Sequence, residues 1–278
     1  MKELIPISSL EASEVAAKEQ SLFYYDGPDK IVSSDDMREQ LKNQKKATHS
    51  MPTGLARLDV AIGAIQSGEL IAIGGPTKNG KTLLAQTITY NLSAQGVGCL
   101  WFTFEVPAMQ FLEQLPNCGK FFMPQKLYGG NMDWLRDRIM EGKLKYKSHI
   151  VFVDNLHHLL DFTSVRNVSL DMGVIIRQLK RMALDLNVAI VVLCHSKKPQ
   201  MVKGVIQEVS EWDLRDSSFI PQEADSTIMV QRKMTERGEF SNQAIVKVCL
   251  HRRTGTMGRK IHVIKTGNMI EEDVTFYV

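Results

Sequence analysis

Long apolar runs are missing from this sequence. The longest, Val188 to Cys194, spans seven residues, against the roughly 20 that a bilayer-spanning helix needs, so no membrane partner is expected. Cysteine is scarce as well. Cys99, Cys118, Cys194 and Cys249 stand far apart with no CxxC pair, which excludes a disulfide frame or a zinc site and suits small buried hydrophobes in a reducing compartment. The opening Met-Lys-Glu-Leu has neither the basic-then-apolar order of a signal peptide nor the Arg/Ser-rich character of a transit peptide, so a cytoplasmic location is expected. Excess charge of one sign is also lacking. The 34 Lys and Arg residues against 31 Asp and Glu leave a net +3, too little to demand a nucleic-acid partner and no bar to one, because a local patch suffices. Repeats and low-complexity tracts are absent. What remains is an ordinary globular composition, 44% hydrophobic and 23% charged over 278 residues, enough for one or two domains with a core that needs no staples.

Residues 1–48 differ from the rest. They are polar, weakly periodic and broken by the turn signal Asp26-Gly27-Pro28-Asp29. Ser34-Asp35-Asp36-Met37 then opens a short helical stretch, with Met37 and Leu41 four apart, that ends in the basic run Lys42 to Lys46. Two readings stand: a solvated arm, or an arm that docks on a partner or on another copy of the chain.

Residues 49–278 alternate apolar strands with helical periods. The strands are expected at Leu70–Gly74, Cys99–Phe104, Ile150–Val153, Ala189–Leu193, Ser226–Gln231 and Ala244–Leu250; the helices at Lys81–Gln95, Ala108–Gln114, Met132–Glu141 and Asp171–Leu186. Several strands are continuous Val/Ile/Leu/Phe runs without alternation, as in strands buried on both faces of a parallel sheet. The order predicts a doubly wound, mainly parallel α/β domain. The last strands follow one another without a long helix, which predicts a closing antiparallel hairpin at the sheet edge.

Gly75-Pro76-Thr77-Lys78-Asn79-Gly80-Lys81-Thr82 fits GxxxxGK[ST], after an apolar strand and before a helical run. Glycines let the backbone curl so that its N–H groups point inward around phosphate oxygens, and the helix N-terminus adds positive potential. Lys81 then reaches the β- and γ-phosphates of ATP, and the Thr82 hydroxyl is set to ligate Mg²⁺. A partner carboxylate for the metal is expected at the end of another buried strand, and His149-Ile150-Val151-Phe152-Val153-Asp154 supplies Asp154. Asn155, not an acid, follows it, so the base must come from elsewhere. Trp101-Phe102-Thr103-Phe104-Glu105 ends the next strand in a lone acid. Glu105 there would face the cleft at the strand C-terminal ends and polarise the attacking water.

With these elements in place, the chain from about Met51 to Glu272 resembles the RecA-like ATPase domain of DnaB-type hexameric replicative helicases, including the helicase halves of phage primase-helicases. Pro52-Thr53-Gly54-Leu55-Ala56-Arg57-Leu58-Asp59 looks like the segment that leads into the first core strand. Phe102-Thr103-Phe104-Glu105-Val106 is similar to that family's Phe-Ser-Leu-Glu-Met, whose Glu is the catalytic base, and Asp154-Asn155-Leu156-His157 to its Asp-Tyr-Leu-Gln. Cys194-His195-Ser196 occupies the place of Ser-Gln-Leu, which makes His195 the γ-phosphate sensor. Most specific is Asp213-Leu214-Arg215-Asp216-Ser217-Ser218-Phe219-Ile220-Pro221-Gln222-Glu223-Ala224-Asp225, which tracks the family's Asp-Leu-Arg-Glu-Ser-Gly-Ser-Ile-Glu-Gln-Asp-Ala-Asp. The family's Lys-Gln-Arg-Asn-Gly-Pro-Thr-Gly falls on His251-Arg252-Arg253-Thr254-Gly255-Thr256-Met257-Gly258. That register makes Arg253 the finger reaching a neighbour's ATP; Arg252 takes the role if the register slips by one.

The resemblance implies a homo-oligomer, a six-fold ring, moving on single-stranded DNA. Its DNA contacts map onto Arg215, Asp216 and Ser218, the last two through backbone N–H, while the loop before Asp213 adds Lys197, Lys198 and Lys203. Such contacts follow the backbone without reading sequence. The departures are His251 for the family's Lys, Ser218 for its Gly, and an N-terminal segment too short for the family's helical domain, with room only for a linker helix near Ser34 to Lys45. The expected function is thus an ATP-dependent, ring-forming DNA helicase motor. A RecA-fold ATPase that binds or remodels DNA or protein without unwinding is the competing reading.

Overall fold

The computed structural model describes residues 9–45, 48–160, 167–199, 201–202, 205–214, 218–235 and 239–277. The chain divides into two compact units, Met1–Ala47 and Thr48–Val278. The first holds helices α1 (Ser9–Phe23) and α2 (Ser34–Lys45). α2 begins where the Ser-Asp-Asp signal predicts it: the Asp36 amide donates to Ser33 Oγ (3.1 Å) and the Ser33 amide to the Asp36 carboxylate (3.3 Å), a reciprocal cap. α1 is a helix that periodicity does not reveal, because its Ala, Glu, Gln and Leu favour helix by propensity while its apolar positions form no stripe.

The second unit opens with β1 (Ser50–Met51), α3 (Ala56–Ile62) and β2 (Ile65–Gln66). It continues through β3 (Leu70–Gly75), α4 (Lys81–Ala94), β4 (Gly98–Thr103), α5 (Ala108–Glu113), α6 (Met132–Tyr146), β5 (Ser148–Asp154), α7 (Val168–Leu186) and β6 (Ala189–His195). Then come β7 (Met201–Val202), β8 (Val205–Ile206), α8 (Phe219–Glu223), β9 (Ser226–Met234), β10 (Phe240–His251), β11 (Thr256–Thr266) and β12 (Met269–Glu272). One eight-stranded sheet runs in the order β12-β11-β10-β9-β3-β6-β5-β4. Strands β4, β5, β6, β3 and β9 are parallel; β9, β10, β11 and β12 pair antiparallel. The doubly wound α/β sheet is the one expected, and it closes in an antiparallel meander longer than a single hairpin.

The uninterrupted apolar runs are explained by burial on both faces. Ile71 and Ile73 of β3, with Val191 and Leu193 of β6, join one apolar layer under α3 and α4; Leu70, Ala72, Ile190 and Val192 join the other under α6 and α7. Trp101 anchors the first layer, stacked on Phe152 at 4.7 Å and tilted against Phe111 at 4.6 Å between ring centroids, with its indole N–H donated to Thr89 Oγ1 at 2.9 Å. Parallel register brings Gly75 beside His195 and Thr103 beside Asp154. The strand C-termini therefore share one edge. Among the described residues no helix is long and apolar enough to cross a membrane.

Candidate nucleotide site

The phosphate loop follows β3 and is shaped by backbone that few residues adopt: Gly75, Lys78 and Gly80 have φ of 154°, 63° and 96°. A Cβ on Gly75 would lie 2.3 Å from the Val230 carbonyl oxygen, so the first glycine is required by β9 packing against the loop. Asn79 is buried and pins the loop to β9, accepting from the Arg232 amide at 2.8 Å and donating to the Thr77 carbonyl at 3.0 Å. Lys81, also buried, donates to the Gly75 and Pro76 carbonyls at 2.9 Å each. Its ammonium is held below the usual lysine pKa by burial, which the nearby Asp154 and Glu105 charges oppose.

Thr82 Oγ1 donates to Asp154 Oδ2 at 2.8 Å, which joins the two expected metal-ligand positions. Burial pushes the Asp154 carboxyl up to about 6, against the lowering effect of the Thr82 hydrogen bond. A buried carboxylate beside a hydroxyl, with a lysine facing both, is a donor set that fits Mg²⁺ and phosphate oxygens. Glu105 lies just past β4, and Asn155 Nδ2 donates to its Oε2 at 2.8 Å. The same Nδ2 lies 3.1 Å from His195 Nε2. Because Asn155 Oδ1 already accepts the His157 amide (3.1 Å), its NH₂ is the group turned to Glu105 and His195, and His195 Nε2 also lies 3.6 Å from Glu105 Oε2. Glu105, Asn155 and His195 thus form one linked group. A cavity of about 360 Å³ is lined by Thr77 to Leu83, Glu105, His195, Arg232, Asn242 and Lys265, among others.

The structure therefore brings Gly75 to Thr82, Glu105, Asp154 and His195 together. It also adds what sequence reading missed. In the sequence Asn155 registers only as the absence of an acid, and Arg232 carries no motif. Lys197 and Lys198 are exposed just beyond β6, with the Lys197 amide donating to the Asp213 carbonyl at 2.8 Å. Ser218 is exposed at the start of α8. Lys203, Arg215 and Asp216 lie outside the described residues.

Arg253 sits elsewhere. β10 ends at His251, paired with Ser226, which in turn pairs with Ile71 near the start of β3. The turn after β10 is therefore at the opposite end of the sheet from the chain's own phosphate loop. There Arg253 Nε donates to Glu69 Oε1 at 2.8 Å. Arg252 reaches the Gln222 carbonyl. His251 is buried, with its Nδ1 2.9 Å from Thr254 Oγ1, and burial holds the imidazole below its ordinary pKa. It does not bring the positive charge of the lysine it replaces at neutral pH.

The sheet and the loop define a RecA-like P-loop α/β fold. A family model described as the DnaB-like helicase C-terminal domain matches residues 129–269, and the chain belongs to that family. Replicative DNA helicase DnaC of Bacillus subtilis is 23% identical over 297 aligned positions, covering 93% of this chain and 64% of that protein. Replicative DNA helicase DnaB of Treponema pallidum is 26% identical over 237 positions, covering 74% of this chain and 52% of its own length. The chain thus spans between about half and two thirds of the curated relatives it matches. Among solved structures, an isolated ATPase domain superimposes with a TM-score of 0.71 at 17% identity, covering 87% of this chain and 99% of that one. A DnaB-like replicative helicase, determined with its interactions with primase, gives 0.70 at 17% identity over 94% of this chain and 71% of the other.

Proposed function

We propose that this chain is the ATP-driven motor of a ring-forming DNA helicase that moves along single-stranded DNA. The observation that carries the reading is the convergence of the phosphate loop, the Thr82–Asp154 pair and the Glu105–Asn155–His195 group at one edge of the sheet, in a chain of the DnaB-like helicase family. In this reading the loop amides and Lys81 bind and orient the β- and γ-phosphates of ATP. Thr82 and Asp154 would hold Mg²⁺, which neutralises charge on the phosphates. Glu105 orients the attacking water, and His195 reports the γ-phosphate to the loop that begins at Ser196.

The opposite placement of Arg253 supports a composite site. Subunits arranged head to tail bring the turn after β10 against the neighbour's ATP, and such a contact closes into a ring when the rotation per subunit suits it. A finger supplied in trans is typically worth about 10³–10⁵ in rate. Lys197, Lys198, Lys203 and Arg215 then track single-strand phosphates in the channel, with the backbone N–H groups of Asp216 and Ser218, and α2 docks on the adjacent subunit.

Fork-substrate unwinding, read beside size with and without nucleotide, tests the proposal. The expected result is ATP-dependent unwinding by a nucleotide-stabilised ring. Glu105→Gln should bind ATP yet hardly hydrolyse it, and Lys81→Ala should lose affinity as well. ATPase activity without unwinding would favour the remodelling reading; near-normal turnover by Glu105→Gln would remove Glu105 from its role.

A further inference from the structure

The turn after β10 is tied to α3 far more heavily than a solvated β-turn requires. Arg253 Nη2 donates to the carbonyls of Ile62 (2.9 Å) and Ala64 (2.6 Å), while its Nε donates to Glu69 (2.8 Å). The Thr254 and Thr256 hydroxyls both donate to the Ala61 carbonyl, at 3.0 and 2.7 Å. These acceptors are carbonyls at and just past the end of α3, which lack partners within the helix. α3 is itself fixed at its start: Glu272 Oε1 accepts the Arg57 and Leu58 amides at 2.6 and 3.4 Å. Glu69 is equally constrained, because its other oxygen accepts the Gln66 amide at 2.8 Å.

The binding is lopsided. A guanidinium carries five N–H donors in a rigid fork. The Nε and Nη2 donors are engaged at short range, whereas Nη1 makes only a 3.4 Å approach to the Gly63 carbonyl. A third of the side chain (33%) remains exposed. The neighbouring His251 lies 3.7 Å from Glu69, buried and neutral, so Arg253 supplies the positive charge that the Glu69 carboxylate needs.

We infer that Glu69 and the C-terminal turn of α3 form a socket that holds Arg253 in one orientation with part of its side chain still exposed, which makes Glu69 a positioning residue for the arginine each subunit offers to its neighbour. The inference rests on the composite site proposed above. A long side chain loses rotamer freedom when it engages a ligand. The socket removes that freedom in advance, and a finger even about 1 Å out of place can cost on the order of 100-fold in rate.

Subunit mixing tests it. Lys81→Ala keeps the finger and lacks a working phosphate loop; Arg253→Ala is the reverse. Glu69→Ala should slow ATPase turnover by about 10- to 100-fold with ATP-analogue affinity unchanged, and Glu69→Gln, which keeps an acceptor, should lose less. If Glu69 acts through the finger, Glu69→Ala belongs to the same complementation group as Arg253→Ala. Mixed with Lys81→Ala it should regain turnover; mixed with Arg253→Ala it should not. A lesion inside its own active site would show the opposite pattern, and a collapse of the fold would be rescued by neither partner; each overturns the assignment. If Glu69→Ala lowers the thermal midpoint strongly, Glu69→Gln carries the same mixing test. Turnover above wild type in either variant would mean that the socket sequesters Arg253, and the inference would fail. If Lys81→Ala and Arg253→Ala do not complement each other despite verified exchange, the composite site itself is wrong and Glu69 loses its role with it.

Discussion

Asp154 and Lys81 share a pocket that favours the neutral form of each, and that opposition has a measurable consequence in metal-free solution. The Asp154 carboxyl is pushed by burial from an ordinary 3.8 up to about 6. The folded state therefore binds a proton more tightly than the unfolded chain, and the stability gained from that proton is present below about pH 4 and lost as pH rises through 6. Asp154→Asn has no such titration. The stability of the variant relative to wild type should rise by roughly 3 kcal/mol between pH 4 and 7 and then level off. Any pH-independent offset belongs to the altered contact with the Thr82 hydroxyl. Urea unfolding across that pH range checks it, and a flat difference would mean that Asp154 ionises freely in the folded protein. Asn155 supports a second expectation. Its amide holds Glu105 and His195 together without touching the loop, so Asn155→Ala should lower turnover about tenfold through misplacement, with ATP-analogue affinity kept. Parallel loss of affinity would make Asn155 part of the binding site.

The phosphate loop is held by β9 as much as by its own glycines. Gly75→Ala would drive a methyl group to 2.3 Å from the Val230 carbonyl, and the backbone of a paired strand cannot step aside. The variant should lose about 1–3 kcal/mol, read by denaturant midpoint. Gly96→Ala, at φ 76° with nothing within 4 Å, carries only the backbone strain and should lose less; equal losses would mean that β9 gives way. At this scale the sequence is most legible where burial repeats. The runs that form β3, β4, β5 and β6 announce strands because both faces are apolar, and α7, observed at Val168–Leu186, begins less than one turn before its expected start at Asp171. Elements that owe their existence to tertiary contact are hidden. α3 has seven residues, too short for a period to register. β11 begins Thr-Met-Gly-Arg-Lys and becomes a strand through pairing with β10. The phosphate loop and Asp154 can be read because strand, glycines and acid are adjacent in the chain. The Asn155–Glu105 link and the Glu69–Arg253 contact join residues 50 and 184 positions apart, and no local pattern encodes them.

For the molecule as a whole, the two units have unequal claims on the core. Both apolar layers are built from Met51 onward, and no described side chain of the first unit belongs to either. The first unit instead exposes Phe23, Tyr24, Ile31, Met37 and Leu41. Met37 and Leu41 are one helical turn apart on α2, so they present a common apolar edge. Removing residues 1–47 should therefore change the unfolding free energy of the remainder by no more than about 0.5 kcal/mol, as for surface changes elsewhere. Assembly should respond differently. If the arm of one subunit docks on the next, as proposed above, it meets its target at an effective concentration that for short linkers is in the millimolar range and reinforces the ring interface. Sedimentation velocity of the shortened chain with a non-hydrolysable ATP analogue should show monomers or open species at concentrations where the full chain forms a closed assembly. Lys81-dependent nucleotide binding should survive, which separates lost assembly from a damaged site. If the shortened chain assembles as well as the full one, the arm is solvated and the head-to-tail contact through the Arg253 turn closes the ring unaided.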